Sequence, residues 1–200
     1  MSGKRKLAVP ILLIAMTAMA ILIVLLFSKV LLNDQASSTD RGIRLAEQYE
    51  QCQAYAAALQ GGTESLATAD TAADRLPAAA QLGQLAPLEE GCAEVLSRKA
   101  VNPENDEEAA KQSILADLEK IRAAAQQIGL HEGPATDEEQ AALAKLRAGG
   151  EELAGILGQY TVPAEGDRYR QMAAGVDWTK PAADAALRIR ELAESLPSKG

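Results

Sequence analysis

The longest unbroken pattern in the chain is apolar. Residues Leu7 to Phe27 carry no charge, and 13 of these 21 positions are Leu, Ile, Val or Phe. At about 1.5 Å rise per residue the run makes roughly 31 Å of helix, the hydrocarbon thickness of a bilayer. It is read as a membrane span. A cleaved signal peptide would have a shorter apolar stretch and a small-x-small exit. The good triplet of that kind, Ala18-Met19-Ala20, lies inside the run with seven strongly apolar residues after it. Pro10 falls in the first turn, where a missing N–H costs little, and no small-xxx-small pair writes a dimer face.

After the span the pattern changes to periodic stripes. Residues 33–39 are polar and small, read as a short stalk. Asp40 is placed to cap a helix on which Leu45, Tyr49, Cys52, Ala56 and Leu59 recur at alternating spacings of four and three. The same phase continues through Thr63, Leu66, Ala69, Ala73 and Leu76, to be ended by Pro77. Gly61-Gly62 interrupts it at a cost of about 2 kcal/mol relative to alanine. A weaker Ala-Gln-Leu stretch follows. Pro87 with Glu89 and Glu90 then reads as a first helical turn, and Leu88, Cys92 and Val95 share a face.

Asn102-Pro103 reads as the start of the next helix, with Glu104, Asp106, Glu107 and Glu108 at its positive end and a stripe of Ile114, Leu118, Ile121, Ala125 and Ile128. Gly129 before Leu130 suits a Schellman ending with its apolar contact. Thr136 and Glu139 make a capping box for a helix striped by Leu143, Leu146, Gly150, Leu153, Leu157 and Tyr160. This helix carries a second glycine pair, Gly149-Gly150, which we read as coincidence instead of a repeat. Past a loop with Pro163, a short helix near 168–175 and a last one near 181–196 follow, the last striped by Ala185, Ile189, Leu192 and Leu196. No stretch alternates as a strand would.

The expected class is therefore all-α: a single N-terminal transmembrane helix followed by an extracytoplasmic antiparallel helical bundle. The expected organisation is a basic cytoplasmic stub at 1–6, a signal-anchor at 7–32, the stalk at 33–39, a bundle domain at 40–196 and a tail at 197–200. Lys4, Arg5 and Lys6 precede the span and Lys29 alone follows it before Asp34, which predicts a cytoplasmic N-terminus and a C-terminal domain outside the cell membrane. This layout is similar to that of bacterial chemoreceptor-type sensors, in architecture only.

Composition sharpens the picture outside the membrane. Four basic groups and no acid precede residue 33, so the formal net charge of -8 for the whole chain becomes -12 for residues 33–200. Such a surface repels phosphate backbones and disfavours nucleic acid or a polybasic lipid patch. Leu, Ile and Val make only 28 of these 168 residues, so a core of small side chains must gain its area by close helix approach.

Candidate chemistry is sparse. Cys52 and Cys92 lie on the apolar stripes of their helices and, outside the cytoplasm, are expected to form a disulfide. An unbroken helix to Leu76 would carry the chain about 36 Å past Cys52, with about 24 Å recovered on the return, so bridge and continuous helix pull against each other. His131 is the one histidine and sits in the turn Gly129–Pro134, so histidine-rich metal sites and a Ser–His–acid set are excluded within one chain, and an exposed loop histidine is expected. The acids of 104–108 and 137–139 read as helix-starting residues. Trp178, the one tryptophan, reads as a plug between two short helices or, less simply, as a partner contact. We expect no cofactor, no metal site and no catalytic set. The reading is a non-enzymatic, membrane-anchored interaction or scaffold protein with a protein partner in the envelope, the alternative being a small-ligand-binding or sensory bundle.

Overall fold

The computed structural model describes residues 4–71, 73–104, 106–131 and 135–197, with side chains from Leu12 onward. The side chains of Lys4, Arg5, Lys6 and Pro10, and all of Pro134 and the tail beyond Pro197, lie outside the described part. Among the described residues there are seven helices and no strand: α1 (Lys4–Ala67), α2 (Leu76–Gly83), α3 (Ala86–Leu96), α4 (Glu107–Gln127), α5 (Asp137–Leu157), α6 (Gly166–Ala173) and α7 (Thr179–Ser195). The protein is all-α.

One helix, α1, is long and apolar enough to cross a membrane. Its side chains from Leu12 to Ser37 are all exposed, and burial begins at Gly42. From there the helix is the centre of the head: Ala46, Tyr49, Cys52, Tyr55, Ala56, Leu59, Thr63 and Leu66 are buried at helical spacing. Around it pack α2, α3, α5 and α6, while α7 lies across α3, α4 and α5. Glu64 meets Arg147 and Tyr49 meets Leu157, so α5 runs back along α1. In the same way Arg188 of α7 meets Glu152 and Lys145 meets the Ser195 carbonyl, so α7 runs back along α5.

Three boundaries differ from the sequence reading, each for a local reason. Residues 33–40 are helical, so Asp40 caps nothing and any stalk there is a rod. At the other end α1 stops at Ala67 and not at Pro77. Beyond it Thr71 and Asp74 exchange bonds, the Asp74 carboxylate accepting from the Thr71 N–H at 3.1 Å and hydroxyl at 2.6 Å, while Thr71 Oγ1 accepts from the Asp74 N–H at 3.3 Å. Pro77 then opens α2 within its first two positions, where proline fits as well as it does after a helix. Finally α4 begins at Glu107, because Asp106 takes the cap by accepting from the Glu108 N–H at 3.1 Å; the Asn102 side chain instead accepts from Glu104 in the preceding turn.

Each glycine pair admits a close neighbour, a role the sequence reading did not give them. α1 continues through Gly61-Gly62 because α2 presses on both: a Cβ at Gly62 would sit 2.7 Å from the Leu82 side chain, and one at Gly61 would sit 3.2 Å from Gln81. Across the bundle, a Cβ at Gly150 would lie 3.0 Å from the Gln60 backbone, and one at Gly149 would lie 2.6 Å from Leu192. Close approach compensates for the helix-propensity cost in a core short of large side chains. The tightest approach to backbone is at Gly42, where α1 crosses α6 and an added Cβ would run into the Tyr169 carbonyl. Backbone cannot yield as a side-chain tip can, so Gly42→Ala is expected to lower stability by about 1–3 kcal/mol, read as a fall in the thermal midpoint of the full chain.

Candidate functional site

Cys52 and Cys92 meet. Their Cα atoms are 4.3 Å apart with the sulfurs at bonding distance, and both residues are buried. The conflict between the bridge and an unbroken helix disappears because α1 ends early. From Cys52 to Ala67 the chain climbs about 22 Å, and from Leu76 back to Cys92 it descends about 24 Å. The two legs match. Gly91, beside Cys92, lies under the Gln51 side chain, whose amide would have to swing aside for a Cβ there.

Trp178 is 1% exposed and plugs the junction of α6 and α7, the simpler of its two readings. Its Nε1 donates to the Met172 carbonyl at 2.8 Å, and its ring stands edge-on to Tyr49 at a centroid distance of 6.4 Å. Tyr160 meets the same tyrosine edge-on at 5.2 Å. Tyr49 Oη donates to the Leu157 carbonyl at 3.1 Å, and Gln53 donates to Leu157 and Tyr160, so α1 satisfies the orphan carbonyls at the end of α5. Burial pushes the Tyr49 phenol well above its ordinary range, with Tyr160 adding to the effect. As it stands, Trp178 offers no surface to a partner.

At the opposite end of the head the turns are tied by groups the sequence reading did not find. Arg75 is buried and donates to the carbonyls of Gly129 at 2.9 Å and His131 at 2.8 Å, linking the α1–α2 turn to the α4–α5 turn. Glu139 completes the expected capping box with Thr136, and does more. Its carboxylate also accepts from the Gly129 N–H at 2.8 Å and lies 2.8 Å from His131 Nε2. His131 is therefore exposed but engaged. Gly129 has the left-handed backbone expected of it, φ 73°, yet its N–H serves Glu139, and Leu130 is 79% exposed, so the expected apolar Schellman contact is absent. The spacing of Glu139 eight residues after His131 carried the signal, hidden behind the capping role that Glu139 also performs.

Those bonds, Gly129 first and then His131 and Thr136, hold the Glu139 carboxyl down at about 2 against its ordinary 4.5. A carboxylate with a depressed folded pKa stabilises the fold fully above its unfolded value and loses that contribution as pH falls through the folded value. We therefore expect the head to lose on the order of 2 kcal/mol between about pH 4.5 and pH 2 from this group. In Glu139→Gln the pH dependence of the urea midpoint across that window should flatten.

A second missed group is the pair of Glu89 and Arg122, where Arg122 Nε donates at 2.6 Å to a carboxylate only 10% exposed. Beside it Tyr55 Oη donates to the Leu118 carbonyl, its phenol pushed upward by burial and by Glu89. Lys111 joins α4 to α3 through Glu90 and Glu94. Of the acids read as helix-starting, Glu107 accepts from the Lys99 N–H and Glu108 from Gln112. Among the described residues no group of three or more His, Cys, Asp or Glu side chains is placed to hold a metal.

Between α4 and α5 the head is open. A groove of about 700 Å³ there is lined by Lys120, Ala123, Ala124, Gln127 and Ile128 of the α4 side, Glu138, Glu139 and Ala142 of α5, and Pro197 after α7. The groove exists because α4 and α5 touch each other little and pack mainly against other helices. No protein-family model, curated protein or solved structure matches this chain.

Proposed function

We propose that the chain is a non-enzymatic, membrane-anchored interaction or scaffold protein of the cell envelope. In this reading it is single-pass, with a cytoplasmic N-terminus and an antiparallel helical bundle held outside the membrane. The observation that carries the proposal is the continuity of α1. The same helix supplies the exposed apolar run from Leu12 to Leu32 and the buried axis of the head from Gly42 to Leu66. An anchor fused rigidly to the core fixes both the height and the facing of the head's surfaces, which matters for presenting a docking face and little for a tethered catalyst.

The docking face we assign is the α4–α5 groove, and the occupant is a helix of an envelope protein with a basic flank. Its alanine walls admit a helix backbone closely, and the -12 charge of residues 33–200 favours a basic partner. That steering should weaken as salt shortens the Debye length from about 10 Å at 0.1 M to about 3 Å at 1 M.

Two measurements test the reading. An export-dependent reporter fused after Gly200 should be active; an inactive reporter on a stable, membrane-inserted fusion reverses the orientation. A photo-crosslinker at Ala123 should capture one defined envelope protein, and one at exposed Ala148 should not. The second reading, a small ligand in the same groove, is favoured by its volume, which falls among ligand pockets of about 300–1,000 Å³. A compound that raises the thermal midpoint while no crosslink forms at Ala123 would move the assignment there.

A further inference from the structure

At the end of the head nearest the apolar run, Arg41 and Arg44 of α1 and Arg98, just after α3, line one cleft of about 290 Å³ together with Glu107 and Trp178. Three arginines and one glutamate line the cleft, within a domain that is acidic overall, and on its other side Arg44 borders a groove that holds Glu47, Glu90 and Glu94. The nearby acids are largely committed. Glu107 accepts from the Lys99 N–H at 2.7 Å. Glu94 holds Arg98 on one oxygen at 2.7 Å and Lys111 on the other at 3.0 Å.

The arginines themselves are underused. Among the described residues Arg41 donates only to neutral acceptors on its own helix, the Ser37 carbonyl and the Ser38 hydroxyl. Arg44 is exposed and forms no ion pair among the described residues. Arg98 is paired with Glu94 through its terminal nitrogen, while its buried Nε has no hydrogen-bond acceptor among the described residues. Like charges gathered at one cleft repel, and planar guanidinium forks are matched in geometry by phosphate oxygens, which neutralise the charge and satisfy the idle donors together.

We propose that this cleft binds a phosphate-bearing anion. The overall charge that disfavours a polybasic patch averages over the whole domain and conceals a local excess. Arg41 lies nine residues beyond Leu32, about 14 Å along the helix. Soluble phosphate esters reach the cleft directly at that height, whereas a headgroup layer about 5–7 Å deep meets it where α1 tilts toward the surface. The headgroup source alone rests on α1 spanning a bilayer; the cleft chemistry does not, so the two can fail separately.

Trp178, the chain's one tryptophan, lines the cleft and reports on it. The full chain is reconstituted in phosphatidylcholine nanodiscs, or kept in buffer if it does not insert, and titrated with inorganic pyrophosphate at constant ionic strength. A saturable change in tryptophan emission is expected. Arg44→Gln should raise the apparent Kd at least tenfold, Arg44→Lys by less, and Arg147→Gln, in an exposed pair at the far end of the head, not at all. Arg44 has no hydrogen-bond or ion-pair partner to lose among the described residues, and an unchanged circular-dichroism melt verifies that the variant folds.

Replacing about a third of the lipid with phosphatidylglycerol separates the sources. A headgroup in the cleft competes, raising the apparent Kd for pyrophosphate at least tenfold in the natural chain and not in Arg44→Gln. An unchanged Kd in those discs assigns the site to a soluble ester. No saturable response, the same response to sodium chloride, or a response indifferent to Arg44→Gln overturns the proposal.

Discussion

Reducing the Cys52–Cys92 bond is expected to cost about 4 kcal/mol of stability, the chain-entropy value for a closed loop of the size it ties. The cysteines are 40 residues apart in sequence, and the loop they close holds the end of α1, all of α2 and most of α3. Without the bond the unfolded chain gains that loop's freedom, while the folded head keeps its packing. For a chain of this length the thermal midpoint should fall by about 8–16 °C. Both residues are at most 1% exposed, so a mild reductant should act slowly on the native head and quickly once it opens. The Cys52→Ala, Cys92→Ala double variant gives the equilibrium cost directly. An equal midpoint in the variant and the oxidised chain would show that the bond contributes nothing.

How much of this was legible depends on how local the signals are. The stripes of α4, α5 and α7 could be read from spacing alone, since Ile114, Leu118, Ile121, Leu146, Leu153, Ile189 and Leu192 are all buried as their period requires. The capping box at Thr136 and Glu139 could be read for the same reason: it involves four consecutive residues. What escaped was decided by distant contacts. Periodicity carried α1 on to Leu76 because an alanine-rich stretch continues any phase, and the stop at Ala67 depends on the Thr71–Asp74 pair. The glycine pairs looked incidental because the residues they admit, Leu82, Gln60 and Leu192, come from other helices.

The candidate sites divide in the same way. Pairing of the two cysteines followed from their faces and their number. Arg75, however, is found only by knowing that its own turn lies against the Gly129–His131 turn, 54 residues further on. The Arg41, Arg44 and Arg98 cleft is equally invisible in the sequence, because its third member comes from the turn after α3, 54 residues beyond Arg44, and net charge points the other way.

Truncating Trp178 separates a core role from a contact role. The indole is the largest fully buried side chain in the head, meets Tyr49 edge-on, and gives its N–H to the Met172 carbonyl. Trp178→Ala therefore removes a large apolar volume, takes one hydrogen bond from the Met172 carbonyl, which keeps the Gly175 N–H at 2.9 Å, and loosens the join between α6 and α7. About 3–5 kcal/mol of destabilisation is expected, against about 1–3 kcal/mol for Trp178→Phe, which keeps most of the ring but not the donor. Below the melting temperature of either variant the groove between α4 and α5 should be intact, because neither helix end that forms it touches the indole. Crosslinking through Ala123 should then persist at temperatures where the variant is folded. A Trp178→Ala chain that melts with the natural one yet loses its neighbour would instead place the tryptophan in the contact itself, with the head opening at the α6–α7 junction to release it.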